Sequence, residues 1–306
     1  MEAGARTARL RSLTISPATF EWLAWAALAM LWLIVLSGAT VRLTGSGLGC
    51  ENWPRCGETL LPPKDYNAYV EFGNRVMGFA VGLTTLVTAA GALLVRGLPR
   101  WLRFSALALP VSVLAQGVLG GITVLLELHP LIVMAHYLLS LVALAIAVVV
   151  VQGARDLARG AVADEAPLGS AWLALALVPL ALALVVSGAL VTAAGPHSGG
   201  EEIPRVGDLV EMVHIHIGST ALFGIGFLAL LALLVVERRR ARVELLLAGV
   251  VLALLLLQMA VGEIQWREGL PWGLVLAHVM IATTVWVLVF ALATRIVVRR
   301  RARLQA

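Results

Sequence analysis

Stretches of about twenty predominantly apolar residues recur along this chain, and each is the length a helix needs to cross hydrocarbon. Backbone groups in lipid must be paired within their own segment, so these stretches are predicted to be helices. The 306 residues are 60% apolar and only 13% charged, which leaves too little polar surface for a soluble fold. We predict an all-α polytopic membrane protein whose eight transmembrane helices cover 20–43, 69–95, 101–126, 130–154, 168–193, 208–236, 243–265 and 272–297.

The basic residues indicate how the chain is oriented. The formal net charge is +5, and the arginines cluster at both termini and in every second connection between apolar segments. This distribution is the positive-inside pattern of a membrane protein and not a nucleic-acid-binding surface. We therefore predict that both termini are cytoplasmic and that four connections face outward, at 44–68, 127–130, 195–207 and 266–271.

An internal duplication relates the two halves of the chain. Gln116 and His136 recur as Gln258 and His278, in both cases 142 positions later. The segment Glu71–Asn74 matches Glu211–His214 with an offset of 140, and Ser37–Val41 matches Ser187–Val191 with an offset of 150. With four helices per half, both repeats have the same orientation, which predicts pseudo-two-fold symmetry along the membrane normal. The predicted units are a cytoplasmic tail at 1–19, a first four-helix bundle at 20–154, a cytoplasmic linker at 155–167, a second bundle at 168–297 and a basic cytoplasmic tail at 298–306.

The duplicated histidines lie in the outer third of the predicted helices, where ionisable groups indicate a functional site. Haem iron takes axial ligands from opposite faces, and imidazoles on two bundle helices suit it. His214 and His278 form a pair in the second half. His216 is the alternative to His214, since residues two apart on a helix point about 200° away from each other. The first half has His136 but carries Asn74, an amide and a poor iron ligand, at the partner position.

Both cysteines of the chain, Cys50 and Cys56, lie in the predicted outer loop 44–68. An even number of cysteines on the outer side of a membrane is compatible with a disulfide bond. We expect the pair to hold the loop over the first-half site near Glu71, and a redox-active dithiol is the alternative.

Several strings of the chain together resemble those of haem A synthase. The resemblance extends from about residue 20 to residue 297 and is closest to an actinobacterial-like branch with the form Glu-Phe-Gly-Asn-Arg. It implies an eight-helix duplicated bundle that oxidises the C8 methyl group of haem O to a formyl group, giving haem A for terminal oxidases. The strings that carry it are Ser37–Cys50, Trp53–Cys56, Tyr69–Arg75, Gln116–Thr123, Ala135–His136 and Gly188–His197.

The resemblance also implies roles for individual residues. Glu71 is expected to be the essential acid, His136 a haem-site residue of the first half, and His214 and His278 the axial ligands of a haem B in the second half. Many members have histidine at the position of Asn74, so a bis-histidine first site is not carried over to this chain.

Two arginines are candidates for contacts with the acid or with a haem propionate. Arg75 is one helical turn after Glu71, and Arg42 is near the outer end of the first helix; simple snorkelling to the interface is the alternative for both. The expected setting is the plasma membrane of a bacterium, with haem O as substrate and with haem O synthase and an electron carrier as partners. A dihaem electron-transfer cytochrome and a haem carrier are the alternative functions.

Overall fold

The computed structural model describes residues 14–50, 52–56, 61–160, 168–197 and 203–303, and within these ranges it contains helices and no strand. Eight helices are long and apolar enough to cross a membrane, which confirms the predicted all-α polytopic fold. They are α1 (Pro17–Leu43), α2 (Tyr66–Leu94), α3 (Arg100–Leu125), α4 (Pro130–Arg159), α5 (Leu168–Ala194), α6 (Leu209–Val236), α7 (Arg242–Arg267) and α8 (Trp272–Arg303).

Polar caps define where three of the helices begin. Ser16, Asp65 and Asp208 precede α1, α2 and α6, and the side chain of each accepts a hydrogen bond from the backbone N–H three residues later. These bonds satisfy donors that the first turn of a helix leaves unpaired. Because α2 and α6 start at fixed caps, the polar residues in their first turns have a defined height and rotation.

Two helices extend beyond the apolar segments that predicted them. The fourth predicted helix ends at 154, whereas α4 continues to Arg159 and is terminated by Gly160 at a φ of 57°. The eighth predicted helix ends at 297, whereas α8 reaches Arg303. Hydropathy marks the part of a helix that lies in lipid, while backbone hydrogen bonding continues into water. The predicted linker 155–167 therefore begins within α4. Positions 161–167, 1–13 and 304–306 lie outside the described residues.

The two halves pack according to the same plan. In each half, consecutive helices contact each other and the first helix contacts the fourth, so α1 packs against α4 and α5 against α8. The halves meet where α8 packs against α1 and α4. Side-chain hydrogen bonds cross this seam, among them Trp32 Nε1 to Thr284 Oγ1 at 3.1 Å, Gln152 Nε2 to Ala291 O at 2.7 Å and Trp286 Nε1 to Leu141 O at 2.9 Å.

One pair of corresponding helices differs between the halves. In the first half α2 and α3 contact each other along much of their length, whereas their counterparts α6 and α7 make few contacts. In the second half α7 is held mainly by α8. The side of α6 that faces α7 is therefore less filled than the equivalent side of α2.

Candidate functional site

The second half brings two histidine rings close together, in an edge-like arrangement. His216, in the second turn of α6, and His278, in the second turn of α8, have ring centroids 6.4 Å apart and ring planes at 66° to each other. The Nδ1 atom of His216 lies 3.0 Å from Ser187 Oγ on α5, so this ring is fixed by one nitrogen and keeps Nε2 for another partner. His278 Nδ1 is buried and has no hydrogen-bond partner in the described part of the chain.

The separation of these rings fits a single metal ion between them. Two imidazoles bound to opposite sides of one ion, with bonds of about 2 Å, place their ring centroids about 6 Å apart. Among the described residues, no group of three or more His, Cys, Asp and Glu side chains could enclose a metal ion. A site with only two protein ligands suits a metal ion whose other ligands are supplied by a macrocycle.

His214 does not take part in this pair. It is exposed on α6, and two residues along a helix it points about 200° away from His216. The geometry therefore favours His216, which the sequence left as the alternative, over the preferred His214. The preference for His214 came from the alignment of the two repeats. That alignment matched 71–74 to 211–214 with an offset of 140, whereas the downstream pairs Gln116/Gln258 and His136/His278 have an offset of 142.

The same contacts recur at one constant offset in the fourth helix of each half. Gln116 Nε2 donates to the backbone oxygen of His136 at 3.1 Å, and Gln258 Nε2 donates to that of His278 at 3.0 Å. Both residues of the second pair lie 142 positions after those of the first. These glutamines hold the backbone of each histidine at the same place relative to the preceding helix, which supports the predicted duplication.

Glycines allow the histidine rings to approach the neighbouring helices closely. A Cβ added to Gly120 would lie 3.2 Å from His136 Cε1, and one added to Gly262 would lie 3.2 Å from His278 Cε1. Such contacts are tight for real side chains, so glycine is what lets the Cε1 edge of each ring come close to α3 or α7. The two rings are therefore equivalently placed in the two halves.

The third matched contact identifies the first-half counterpart of His216. A Cβ on Gly188 would lie 3.0 Å from His216 Cε1, and a Cβ on Gly38 would lie 3.9 Å from Asn74 Oδ1. His216 follows Asn74 by 142 positions, the offset of the other pairs. Asn74 thus lies where the second half has a histidine, and its buried Oδ1 has no hydrogen-bond donor among the described residues.

Glu71 is the most distinctive polar group of the first half. It is only 4% exposed, and its carboxylate accepts hydrogen bonds from Arg75 Nη2 and, at 2.9 Å, from the backbone N–H of Cys50. At the offset of 142, the second-half counterpart of Glu71 is Val213. The sequence alignment had matched Glu71 to Glu211 instead, and Glu211 is exposed in the first turn of α6. The buried acid is therefore specific to the first half.

Arg75 links this acid to the outer loop. Besides pairing with Glu71, it donates through Nη1 to three backbone oxygens, those of Asn52 at 2.9 Å, Pro54 at 3.2 Å and Arg55 at 2.8 Å. A guanidinium presents its donors in a fixed planar fork, so these contacts fix the loop relative to α2. The sequence offered the pairing with Glu71 as one of the possible roles of Arg75, but bonds to backbone oxygens leave no sequence signal.

The predicted disulfide is present between Cys50 and Cys56, with a Cα–Cα distance of 4.6 Å. Both half-cystines are buried. Closing so short a ring stabilises the folded loop by about 2 kcal/mol in the chain-entropy model. Because Cys50 also donates its backbone N–H to Glu71, the ring is anchored directly on the buried acid, as expected for a loop that covers the first-half site.

Trp53 is a residue of the site that the sequence analysis did not single out. A Cβ on Gly121 of α3 would lie 2.7 Å from Trp53 Cδ2 and Cε2, so the indole packs directly on this glycine. The neighbouring Gly120 contacts His136. Two consecutive glycines of α3 thus contact the site: Gly120 lies against His136, and Gly121 lies against Trp53 of the loop. The sequence signal for this contact was the pair Gly120–Gly121, because the second half has Gly262 followed by Glu263 at the equivalent positions.

Comparison with known proteins places these features in a family. The family model described as COX15-CtaA, cytochrome oxidase assembly protein, matches residues 21–68 and 64–290. Three similar proteins are named Heme A synthase. That of Symbiobacterium thermophilum is 36% identical over 123 residues, or 40% of each chain. That of Lysinibacillus sphaericus is 29% identical over 175 residues, covering 56% of this chain and 57% of the relative. That of Shewanella oneidensis is 31% identical over 135 residues, covering 38% of this chain and 40% of the relative. The matches thus span about half or less of these relatives.

Proposed function

We propose that this chain, which belongs to the COX15-CtaA family of cytochrome oxidase assembly proteins, is a haem A synthase. The proposed reaction oxidises the C8 methyl group of haem O to a formyl group and so produces haem A for terminal oxidases. The observation that carries the proposal is the difference between two otherwise matched sites: one has two opposed histidines, and the other has one histidine and a buried acid.

In this proposal the second half binds a haem B through His216 and His278. Their rings, 6.4 Å apart, would hold the iron of this haem. Ser187 orients His216 through Nδ1, and Gln258 holds the backbone of His278. When bound, haem B supplies one-electron redox chemistry. The helices α6 and α7 make few contacts with each other, which suits a flat macrocycle between them.

The first half binds haem O as the substrate. His136 lies on one side of the pocket, fixed by its contact with Gly120 and by the bond from Gln116. Asn74, at the position of the second histidine, does not close the opposite face, because an amide is a poor ligand for iron. The iron of the substrate would therefore have one protein ligand. A single ligand suits the first half, which must bind and release its haem, whereas two ligands suit the second half, which retains its cofactor.

Glu71 is the proposed catalytic residue. Oxidation of a methyl group to a formyl group replaces C–H bonds by a C=O double bond and, with water as the source of the oxygen atom, releases protons and electrons. A carboxylate at the reacting group can therefore accept a proton or stabilise developing positive charge. Arg75 and the Cys50 N–H hold this carboxylate in one orientation, and the disulfide loop above it limits the entry of water. The electrons would leave through the second half to a membrane-bound or soluble carrier.

The proposed setting follows from the charge distribution of the sequence. We place the protein in the plasma membrane of a bacterium with both termini in the cytoplasm, so that both sites lie near the outer face. Haem O synthase is the expected supplier of the substrate, since haem O is its product.

The reaction is tested in cells that make haem O but lack their own haem A synthase. Expression of this chain should lead to haem A in the extracted pigments, and cells with an empty vector provide the control. Pigment extracts with haem O alone, from membranes that contain the folded protein, would contradict the proposal.

A further inference from the structure

Arg42 is a partly buried cation of the first-half site with no anionic partner among the described residues. It lies in the last turn of α1, one turn after Gly38, which contacts Asn74. Residues four apart share a helix face, so Arg42 lies on the side of α1 that borders this pocket, towards its outer end. Its second-half counterpart is Thr192, 150 positions later, so the cation is specific to the first half.

The surroundings of Arg42 connect the two halves. Its guanidinium is close enough to Tyr137 for an electrostatic interaction, and Tyr137 directly follows His136 on α4. The Tyr137 side chain is in turn hydrogen-bonded to Thr283 of α8, five residues after His278. Arg42 therefore interacts with the part of α4 that carries His136, and α4 in turn packs against α8 of the second half.

The hydrogen bonds of Arg42 are unmet. Its Nε is buried and has no acceptor, and no hydrogen bond or ion pair joins its side chain to the described residues. An arginine stays protonated in proteins, and a buried charge without a partner is strongly unfavourable. Arg75 differs in this respect, since Glu71 and three loop carbonyls already occupy its donors.

We propose that Arg42 binds a haem propionate, and this inference rests on the proposed haem sites. Propionates are the anionic groups of haem O and haem B, and a planar guanidinium binds a carboxylate through two parallel hydrogen bonds. Of the two arginines singled out by the sequence, the structure assigns this role to Arg42 and loop anchoring to Arg75. The electrostatic interaction with Tyr137, which directly follows His136, favours the substrate as the source of the propionate.

A comparison of free-acid and esterified pigments tests the charge contact directly. The full chain, with its second site loaded with haem B, is titrated with haem O and with its dimethyl ester, and binding is followed by absorbance. We expect wild-type protein to prefer the free acid and Arg42→Gln to bind it roughly 10- to 100-fold more weakly, the range of a lost charge-assisted hydrogen bond. Arg42→Gln should bind the ester as wild type does, and Arg42→Lys should lie between the two.

Arg103 provides a matched control. Its Nε is also buried without a partner, but it lies in the first turn of α3, at the opposite end of the bundle. Arg103→Gln should leave the acid-to-ester preference unchanged. If Arg42→Gln reduces the content or the reduction potential of haem B and leaves haem O binding intact, the propionate belongs to the cofactor and the choice of the substrate is wrong.

Equal preference of wild-type and Arg42→Gln protein for the free acid, with unchanged haem B, would overturn the inference. Because the titration measures binding and not turnover, it is independent of the reaction. A protein that binds haem O through Arg42 but makes no haem A would contradict the proposed function alone.

Discussion

The imidazole ring centroids of His216 and His278 lie 6.4 Å apart, whereas His214 is exposed on the same helix. The pair joins α6 to α8 across the second half, at positions equivalent to Asn74 and His136 of the first. In the proposed function, this difference of one side chain, histidine against asparagine, separates a site with two protein ligands from a site with one.

Replacement of either paired histidine should remove the haem B of the second half. In His216→Ala and His278→Ala, a bis-imidazole iron loses one axial bond and the apolar surroundings offer no substitute, so the low-spin absorption bands of purified protein should disappear. His214→Ala is the matched control, two residues away on the same helix, and should keep them. Loss of these bands in His214→Ala, with His216→Ala unchanged, would restore the assignment first preferred from the sequence.

Much of this arrangement could be predicted from the sequence, because apolar segment length and repeated motifs are local signals. These signals predicted the eight helices, the disulfide and the equivalent positions of His136 and His278 in the two halves. The choice between His214 and His216 could not be predicted, because it depends on how one helix is rotated about its axis. In addition, the similarity of 71–74 to 211–214 suggested an offset of 140, two residues less than the offset of the other pairs.

The loop contacts could not be predicted for a different reason. Arg75 binds backbone oxygens, which every residue has, and Trp53 packs on Gly121, a residue with no side chain to indicate a partner. Tertiary contacts of this kind arise only when the loop folds back onto α2 and α3.

Glu71→Gln should lower haem A formation by the roughly 10²- to 10⁴-fold typical of losing a general acid or base. The amide can still accept the hydrogen bond from Cys50, so the loop should stay in place and haem B should remain bound. Haem A produced per folded protein is the quantity to measure. Glu263→Gln is the control, because Glu263 forms an exposed ion pair with Arg267 four residues later, and such pairs contribute little. Near-normal output from Glu71→Gln would leave the haem sites standing and refute the catalytic role.

Gly121→Ala should displace Trp53 from the first-half site. The added Cβ would lie 2.7 Å from the indole, so the loop must shift, and misplacement by about 1 Å can reduce catalysis as much as 10²-fold. We expect reduced haem A formation, unchanged haem B and faster tryptic cleavage after Arg55 in the same loop. Gly117→Ala, one turn earlier where a Cβ meets nothing within 4 Å, should behave as wild type. Equal behaviour of the two variants would show that the Trp53 contact has no part in function.

The predicted orientation can be tested with topology reporters. Fusions within 96–100 and 237–242 should report the cytoplasm, because arginines cluster there. Fusions within 56–60 and 200–205 should report the outer side. Reversed signals at both pairs would move the two sites to the inner face and refute their placement.

The most direct test of the central claim is the mass of the pigment recovered after membranes containing this chain are incubated with haem O. We predict that haem O is converted to haem A by the wild-type protein, with haem B recovered unchanged, and that Glu71→Gln membranes return haem O. Recovery of haem O unchanged from wild-type membranes in which haem B is bound and the protein is folded would contradict the claim that this family member is a haem A synthase.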